Sequence, residues 1–90
     1  MEFEYDEEKS LLNEKKHGIS LADARELWVV PRVEMPARTA DEPRFMTVGK
    51  LRGKFYSCIF TMRGSKIRLI SARRSRVEEE KDYHETIDKA

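Results

Sequence analysis

The 90-residue chain has few cysteines and no long apolar segment, and both features exclude certain classes of protein. It has one cysteine, Cys58, which excludes an internal disulfide and a cysteine-rich zinc site. No apolar run approaches the roughly 20 residues of a membrane span. The acidic first residues lack the apolar segment of a signal peptide. We therefore expect a single domain, residues 1–90, that is cytoplasmic, has no membrane partner and has modest stability.

Acidic residues are absent from one long stretch. Residues 44–76 contain ten Lys or Arg and no Asp or Glu. By contrast, residues 1–43 hold eleven acidic and six basic side chains, and residues 77–90 hold six acidic and two basic. A surface that only confers solubility intersperses the two signs. Because β-forming residues alternate with the cations, the stretch predicts a sheet with a face that binds a polyanion.

The acidic N-terminal part predicts two helices after a short strand at residues 2–5. Asp6 is a suitable N-cap for a helix that ends at His17, where Gly18 can adopt the left-handed conformation. Ser20 begins a second helix, which Pro31 ends. Residues 32–43 contain two prolines and predict either a loop or an irregular edge strand.

The basic stretch predicts three antiparallel strands, at 44–51, 54–62 and 66–73, followed by a helix from Val77. Strict alternation divides the third strand into two faces, one with Arg68, Ile70 and Ala72, the other with Ile67, Leu69, Ser71 and Arg73. The predicted fold class is α+β. Its antiparallel sheet consists of the short N-terminal strand and the three-strand meander, and two N-terminal helices and one C-terminal helix pack on one side.

Several strings occur in a specific order. They are FEYDEEK at 3–9, NEKKHGIS at 13–20, EPR at 42–44 with Gly49, and IRLISARR at 67–74, followed by Glu79 and Tyr83. In this combination the chain resembles the BrnT family of type II toxins. It departs from the family pattern at Tyr5, where Trp is usual, at residues 29–40, and at Ser75, where Ala is common.

The resemblance implies a RelE-like fold and a ribonuclease that uses no metal or other cofactor. It also implies that the chain inhibits translation by cleaving RNA. The expected partner is a BrnA-like antitoxin with a ribbon-helix-helix domain. Through that antitoxin, the complex would bind its operator DNA.

Metal-free RNA cleavage needs cations that stabilise the charge developing at phosphorus, and arginine suits this role because it grips phosphate bidentately. Arg73, at the end of the third strand beside the final helix, and Arg63, at the adjacent hairpin end, are the predicted catalytic cations. The predicted RNA-binding residues are Lys16, Arg44, Arg52, Lys54, Arg68 and Arg74. The alternative for each is a solvated strand cation or a salt bridge to a helix.

Proton transfer has two sets of candidates, His17 and the pair of Glu79 with Tyr83. Each set has a structural alternative. His17 could simply interact with the C-terminal end of its helix. Glu79 could bridge to Arg73 or to its neighbour Arg74, while the Tyr83 ring packs on the sheet.

Two other functions fit the same pattern. Aromatic residues among the cations also suit a nucleic-acid-binding sheet without catalysis. A basic face could equally bind an acidic protein partner. Cleavage assays separate these functions from an enzyme.

Overall fold

The computed structural model describes residues 1–38 and 41–89. The strands are β1 (Glu2–Glu4), β2 (Arg32–Pro36), β3 (Phe45–Leu51), β4 (Lys54–Arg63) and β5 (Lys66–Arg74). The helices are α1 (Glu7–His17), α2 (Leu21–Ala24), which continues as a 3-10 helix (Arg25–Val29), and α3 (Val77–Ile87). Within the described ranges, no helix has the length and apolar character needed to span a membrane.

The five strands form one mixed sheet in the order β1-β5-β4-β3-β2. The predicted meander of three strands is confirmed. The expectation of a purely antiparallel sheet was wrong, because β1 pairs with β5 in parallel, with Glu4 opposite Arg68. Short strands reveal their existence by alternation, but their pairing direction depends on a partner that is distant in sequence.

The second edge of the sheet is also a regular strand. Of the two interpretations of residues 32–43, the edge strand is observed, since β2 pairs antiparallel with β3 from Arg32 opposite Gly49 to Pro36 opposite Phe45. Thr39 and Ala40, which belong to the same predicted segment, lie outside the described residues.

The helices cover both faces of the sheet, so the expectation of a single helical side was also wrong. One core joins α2 and its 3-10 continuation to the sheet and includes Leu21, Leu27 and Cys58. A separate core lies under α3, where Tyr83 packs with Val48.

Burial raises the pKa of the Cys58 thiol to about 12, which fits an inert strand thiol and not a nucleophile.

A β-bulge changes the faces of β5. Phe60 pairs with Leu69 and Ile59 pairs with Ser71, so Ile70 is an extra residue without a partner on β4. Ala72 therefore lies in the same core as Leu69, and strict alternation assigned it to the wrong face. Beyond the bulge, Arg73 shares a face with Arg68.

The two ends of the NEKKHGIS segment hold the fold together. The Asn13 side-chain amide donates to the carbonyl oxygens of Ile19 (2.7 Å) and Ala72 (2.8 Å), and its oxygen accepts from the Ala72 amide (3.2 Å). Gly18 has a φ of +75°, and the Ser20 hydroxyl accepts from the Asp23 amide at the start of α2. The segment thus joins α1, α2 and β5.

Candidate active site

The outer edge of β5 is only partly paired. Strand β1 covers this edge up to the pair of Glu4 with Arg68, and then the chain turns into α1. Further along, the Asn13 amide binds both backbone groups of Ala72, much as a neighbouring strand would. Between these two contacts lie Leu69, the bulged Ile70 and Ser71. The combination leaves a gap in the edge of the sheet.

A polar cleft of about 190 Å³ opens at this gap. Its walls come from the start of α1, from the segment before β3, from the end of β4 and from the bulge in β5. The lining residues are Asp6, Lys9, Glu42, Arg44, Arg63, Arg68, Leu69 and Ile70. Three arginines, from the segment before β3, the end of β4 and the first half of β5, therefore converge on one cleft of a size suited to a phosphate and part of a nucleotide.

Arg44 reaches the cleft because its segment is tied to β4. The Thr61 hydroxyl is buried and donates to the carbonyl oxygen of Pro43 at 2.6 Å. Thr61 in turn pairs with Arg68 across the β4–β5 ladder. The Nε of Arg44 is buried and, among the described residues, has no hydrogen-bond partner. A buried donor without a partner is costly, and a bound anion is one group that could satisfy it.

Glu4 holds the other two arginines of the cleft. Its Oε2 accepts from Arg68 Nη1 at 2.9 Å and lies 4.0 Å from Arg63 Nη1. Within the described part of the chain, this is the only hydrogen bond of the Arg68 side chain. The Nε and Nη2 of Arg68 consequently stay available to a ligand, and these two donors match the spacing of two phosphate oxygens.

Two carboxylates and an ammonium complete the lining. Sequence reasoning missed Asp6, Lys9 and Glu42 as site residues. Asp6 also caps α1, since its Oδ1 accepts from the Glu8 amide at 2.8 Å. For Glu42 the EPR string was a usable signal, because it placed a carboxylate two residues from Arg44. A cleft with cations and carboxylates can both hold a phosphate and move a proton.

The Arg73–Glu79 pair lies elsewhere on the same face and is saturated. Arg73 donates to both Glu79 oxygens, at 2.9 and 2.8 Å, and Glu79 also accepts from the Ser57 hydroxyl (2.7 Å) and the Arg76 amide (2.9 Å). Burial alone would raise the pKa of Glu79. These hydrogen bonds and the Arg73 charge outweigh it and lower that pKa to about 2. The hydrogen bond from Arg73 to Glu79 likewise raises the pKa of Arg73.

Arg63 and Arg73 are not adjacent, in contrast to the expectation from sequence. Arg63 pairs with Lys66 at one end of the β4–β5 ladder, and Arg73 pairs with Ser57, six positions back along β4. Because a strand rises about 3.3 Å per residue, six positions separate the two sites by about 20 Å along the strand. A single phosphate cannot contact both guanidinium groups.

The predicted proton-transfer residues lie outside the cleft. Tyr83 is buried, and its ring packs edge-on against Phe55 with centroids 5.0 Å apart. His17 is exposed in the last turn of α1, four residues after Asn13. The arrangement brings neither residue together with Glu42 or the three cleft arginines.

The other predicted RNA-binding cations are dispersed. Arg52 forms ion pairs with Glu26 (2.8 Å) and Asp23 (3.7 Å) at the β3–β4 turn. Arg74 donates to the Phe55 carbonyl oxygen (3.3 Å), and its guanidinium carbon lies 5.8 Å from the centroid of the Tyr56 ring. The side chains of Lys16 and Lys54 are exposed at the ends of α1 and β4.

Comparison with known families identifies the chain. The model of the family described as "Ribonuclease toxin, BrnT, of type II toxin-antitoxin system" matches residues 5–79. The chain belongs to the BrnT family. No curated protein matches it.

Membership of the BrnT family gives the site a context. A ribonuclease toxin acts on RNA, and a type II system pairs it with an antitoxin protein. The match spans Asp6, Glu42, the three cleft arginines and the Arg73–Glu79 pair. Glu4 lies one residue before the matched range.

Proposed function

We propose that this BrnT chain is a metal-independent endoribonuclease whose active site is the cleft at the bulge of β5. The observation that carries the proposal is the convergence of Arg44, Arg63 and Arg68 on a space that also contains the carboxylate of Glu42. This set of groups is what transesterification of RNA requires. Cleaved RNA would no longer support translation, so the chain would inhibit protein synthesis in the cytoplasm.

The cleft arginines receive the scissile phosphate. When the 2′-oxygen attacks phosphorus, negative charge accumulates on the non-bridging oxygens. Arg68 meets it with the donors that Glu4 does not occupy, and Arg44 meets it from the segment before β3. Preorganised donors of this kind contribute about 10² to 10³ in rate each.

Glu42 and Lys9 divide the proton transfers. The Glu42 carboxylate takes the proton of the 2′-hydroxyl as the bond from the 2′-oxygen to phosphorus forms. The bond from phosphorus to the 5′-oxygen breaks, and the Lys9 ammonium gives a proton to that oxygen. The products are a 2′,3′-cyclic phosphate and a 5′-hydroxyl. His17, at the opposite end of α1 from Asp6 and Lys9, would contact flanking RNA.

The remaining exposed cations contact RNA on either side of the cleaved bond. We assign this role to Lys16, Lys54 and Arg74, the last with the Tyr56 ring as a surface on which a base can stack. Arg73, Glu79 and Tyr83 support the fold of this region. The four hydrogen bonds that Glu79 accepts and its low pKa favour a structural role over proton transfer.

The antitoxin covers the same basic face. We propose a BrnA-like protein with a ribbon-helix-helix domain, which binds operator DNA as part of the complex. The fold of the toxin is of the RelE type in this proposal. Phosphate contacts and antitoxin contacts would then compete for the same arginines, so the complex would not cleave RNA.

In vitro cleavage of total RNA, with EDTA present, tests the proposal. We expect the wild type to generate 2′,3′-cyclic phosphate ends, and Arg68→Ala to lower the rate at least about 100-fold. Arg32→Ala is the matched control. Arg32 has similar exposure and also binds one glutamate, Glu34, at 3.0 Å, but it lies at the opposite edge of the sheet. Equal rates for the two variants would contradict the proposal.

Binding separates catalysis from simple RNA association. A 2′-O-methyl RNA has no free nucleophile, so it reports affinity without cleavage. We expect Glu42→Gln to bind this RNA at least as tightly as the wild type while cleaving ordinary RNA at least about 100-fold more slowly. A wild type that binds the analogue but leaves every RNA intact would favour the non-catalytic binding module.

A further inference from the structure

The carboxylate of Glu4 lies among cations that the reaction needs. It contacts Arg68 directly and is 4.0 Å from Arg63, and its side chain is one-third exposed. A glutamate at this point reduces the positive charge offered to RNA. In a site that binds phosphate, a carboxylate beside the cations is expected to have a function other than solubility.

The geometry of the contact supplies that reason. Among the described residues, Glu4 accepts a single hydrogen bond, at Oε2 from the Nη1 of Arg68, and the Nη1 of Arg63 lies 4.0 Å from the same oxygen. A carboxylate that competed as a phosphate substitute would engage two donors side by side, as Glu79 does with Arg73. Glu4 instead fixes one corner of the guanidinium and leaves Nε and Nη2 for a ligand.

The backbone fixes Glu4 in turn. Its strand β1 pairs in parallel with β5, and the register places Glu4 directly opposite Arg68. Side chains opposite each other on one face are neighbours. The carboxylate is therefore held by the sheet itself, not by a mobile loop, and it can define the orientation of Arg68.

We propose that Glu4 is a positioning residue of the ribonuclease, which orients Arg68 and Arg63 toward the scissile phosphate at a cost in RNA affinity. The inference rests on the proposed cleft function. It assigns a catalytic purpose to β1, the strand that precedes the part of the chain matched by the family model.

Glu4→Gln tests the proposal, because glutamine keeps the shape and removes the charge. Loss of a negative charge beside two arginines should tighten binding of 2′-O-methyl RNA by about threefold to tenfold. Loss of orientation should lower kcat about tenfold, since small misplacements of a catalytic group are expensive. Tighter binding with slower turnover is the signature, and a purely structural role would not produce it.

Three variants serve as controls. Glu2→Gln removes the same charge from the same strand, and Glu34→Gln breaks a similar exposed pair with Arg32. Both should keep the wild-type kcat. Glu4→Asp keeps the charge but withdraws the carboxylate, so its RNA affinity should equal that of the wild type while its kcat stays low. Thermal melts confirm that each variant is folded.

The outcomes separate this inference from the proposed function. If Arg68→Ala cleaves RNA at the wild-type rate, the cleft is not the active site. If Arg68→Ala is inactive while Glu4→Gln matches Glu34→Gln in both kcat and affinity, only the role of Glu4 is overturned. Unchanged kcat with tighter binding would make Glu4 a mere competitor, and weaker binding would also contradict the proposal.

Discussion

Two arginine–glutamate pairs lie on one face of the sheet, about 13 Å apart by the rise of four ladder positions. In the Arg73–Glu79 pair, the carboxylate accepts four hydrogen bonds. In the Arg68–Glu4 pair, the carboxylate accepts one hydrogen bond from the described residues. Both pairs appear in the sequence as arginines of one basic strand. The number of partners distinguishes an arginine that stabilises the protein from one that is available to a ligand.

Burial accounts for part of the difference. The Glu79 side chain is 10% exposed, and that of Glu4 is 34% exposed. A carboxylate that loses water needs several donors to replace it. α3 supplies these at Glu79, because the carboxylate also accepts from the amide at the start of that helix. Among the described residues, no helix amide donates to the Glu4 carboxylate, so solvent and ligand can reach its arginine.

Removal of Arg73 should give the largest change in stability. Arg73→Ala leaves the Glu79 carboxylate buried without its principal partner, and we expect a loss of about 3 kcal/mol in the free energy of unfolding. Urea denaturation measures it. The cleavage rate per folded molecule should stay within about threefold of the wild type, given the distance to the cleft. A folded, RNA-binding Arg73→Ala without activity would instead make Arg73 a catalytic cation.

Acid should lower the free energy of unfolding by a similar amount, because it protonates Glu79 in its pair with Arg73. The pKa of Glu79 falls from 4.5 to about 2 on folding. Such a group contributes stability above pH 4.5 and loses it as the pH drops toward 2, by about 3 kcal/mol in total. Urea titrations at several pH values should show this decline in the wild type and not in Glu79→Gln. Parallel pH curves for the two proteins would contradict the assignment.

Replacement by lysine should affect the two arginines differently. Arg73→Lys loses the bidentate geometry and should destabilise the fold by about 1–2 kcal/mol. Arg68→Lys should cost less than about 1 kcal/mol because its pair is partly exposed, but it should slow RNA cleavage at least tenfold. Denaturation and cleavage assays on both proteins test the contrast. Similar profiles would mean that the pairs have the same role.

The smallest expected effect is on the stability of Glu4→Gln. A partly exposed ion pair contributes about 0–1 kcal/mol, so the melting temperature should change by only a few degrees. Differential scanning calorimetry can detect this, with Glu34→Gln as reference. A loss as large as that in Glu79→Gln would show that Glu4 supports the fold.

The sequence predicted those parts of the fold that depend on local signals. Asp6, Gly18 and Ser20 set helix ends through contacts within a few residues, and all three have the predicted conformation or cap. The meander was predictable for the same reason, since short turns join its strands. The parallel pairing of β1 and the bulge at Ile70 depend on distant partners, which alternation cannot reveal.

The candidate site was only partly predictable, for a related reason. The arginines were visible as a run of one charge, and Arg44 and Arg68 were among the predicted RNA-binding residues. Their convergence depends on the hydrogen bond from the Thr61 hydroxyl to the Pro43 carbonyl oxygen and on the register between β1 and β5. Glu42 was overlooked because a glutamate in a proline-containing segment has no local signature, although it lies in a recognised string.

The amide contacts of Asn13 with Ala72 join residues 59 positions apart. Contacts at such separation form only when most of the chain is present. During synthesis, Glu4 and Asp6 therefore leave the ribosome long before Arg63, Arg68 and the edge of β5 that completes the cleft. A chain that ends before β5 has neither Arg68 nor the sheet edge that would complete the proposed phosphate site. In the proposed function, the order of the residues would delay RNA cleavage until β5 has emerged.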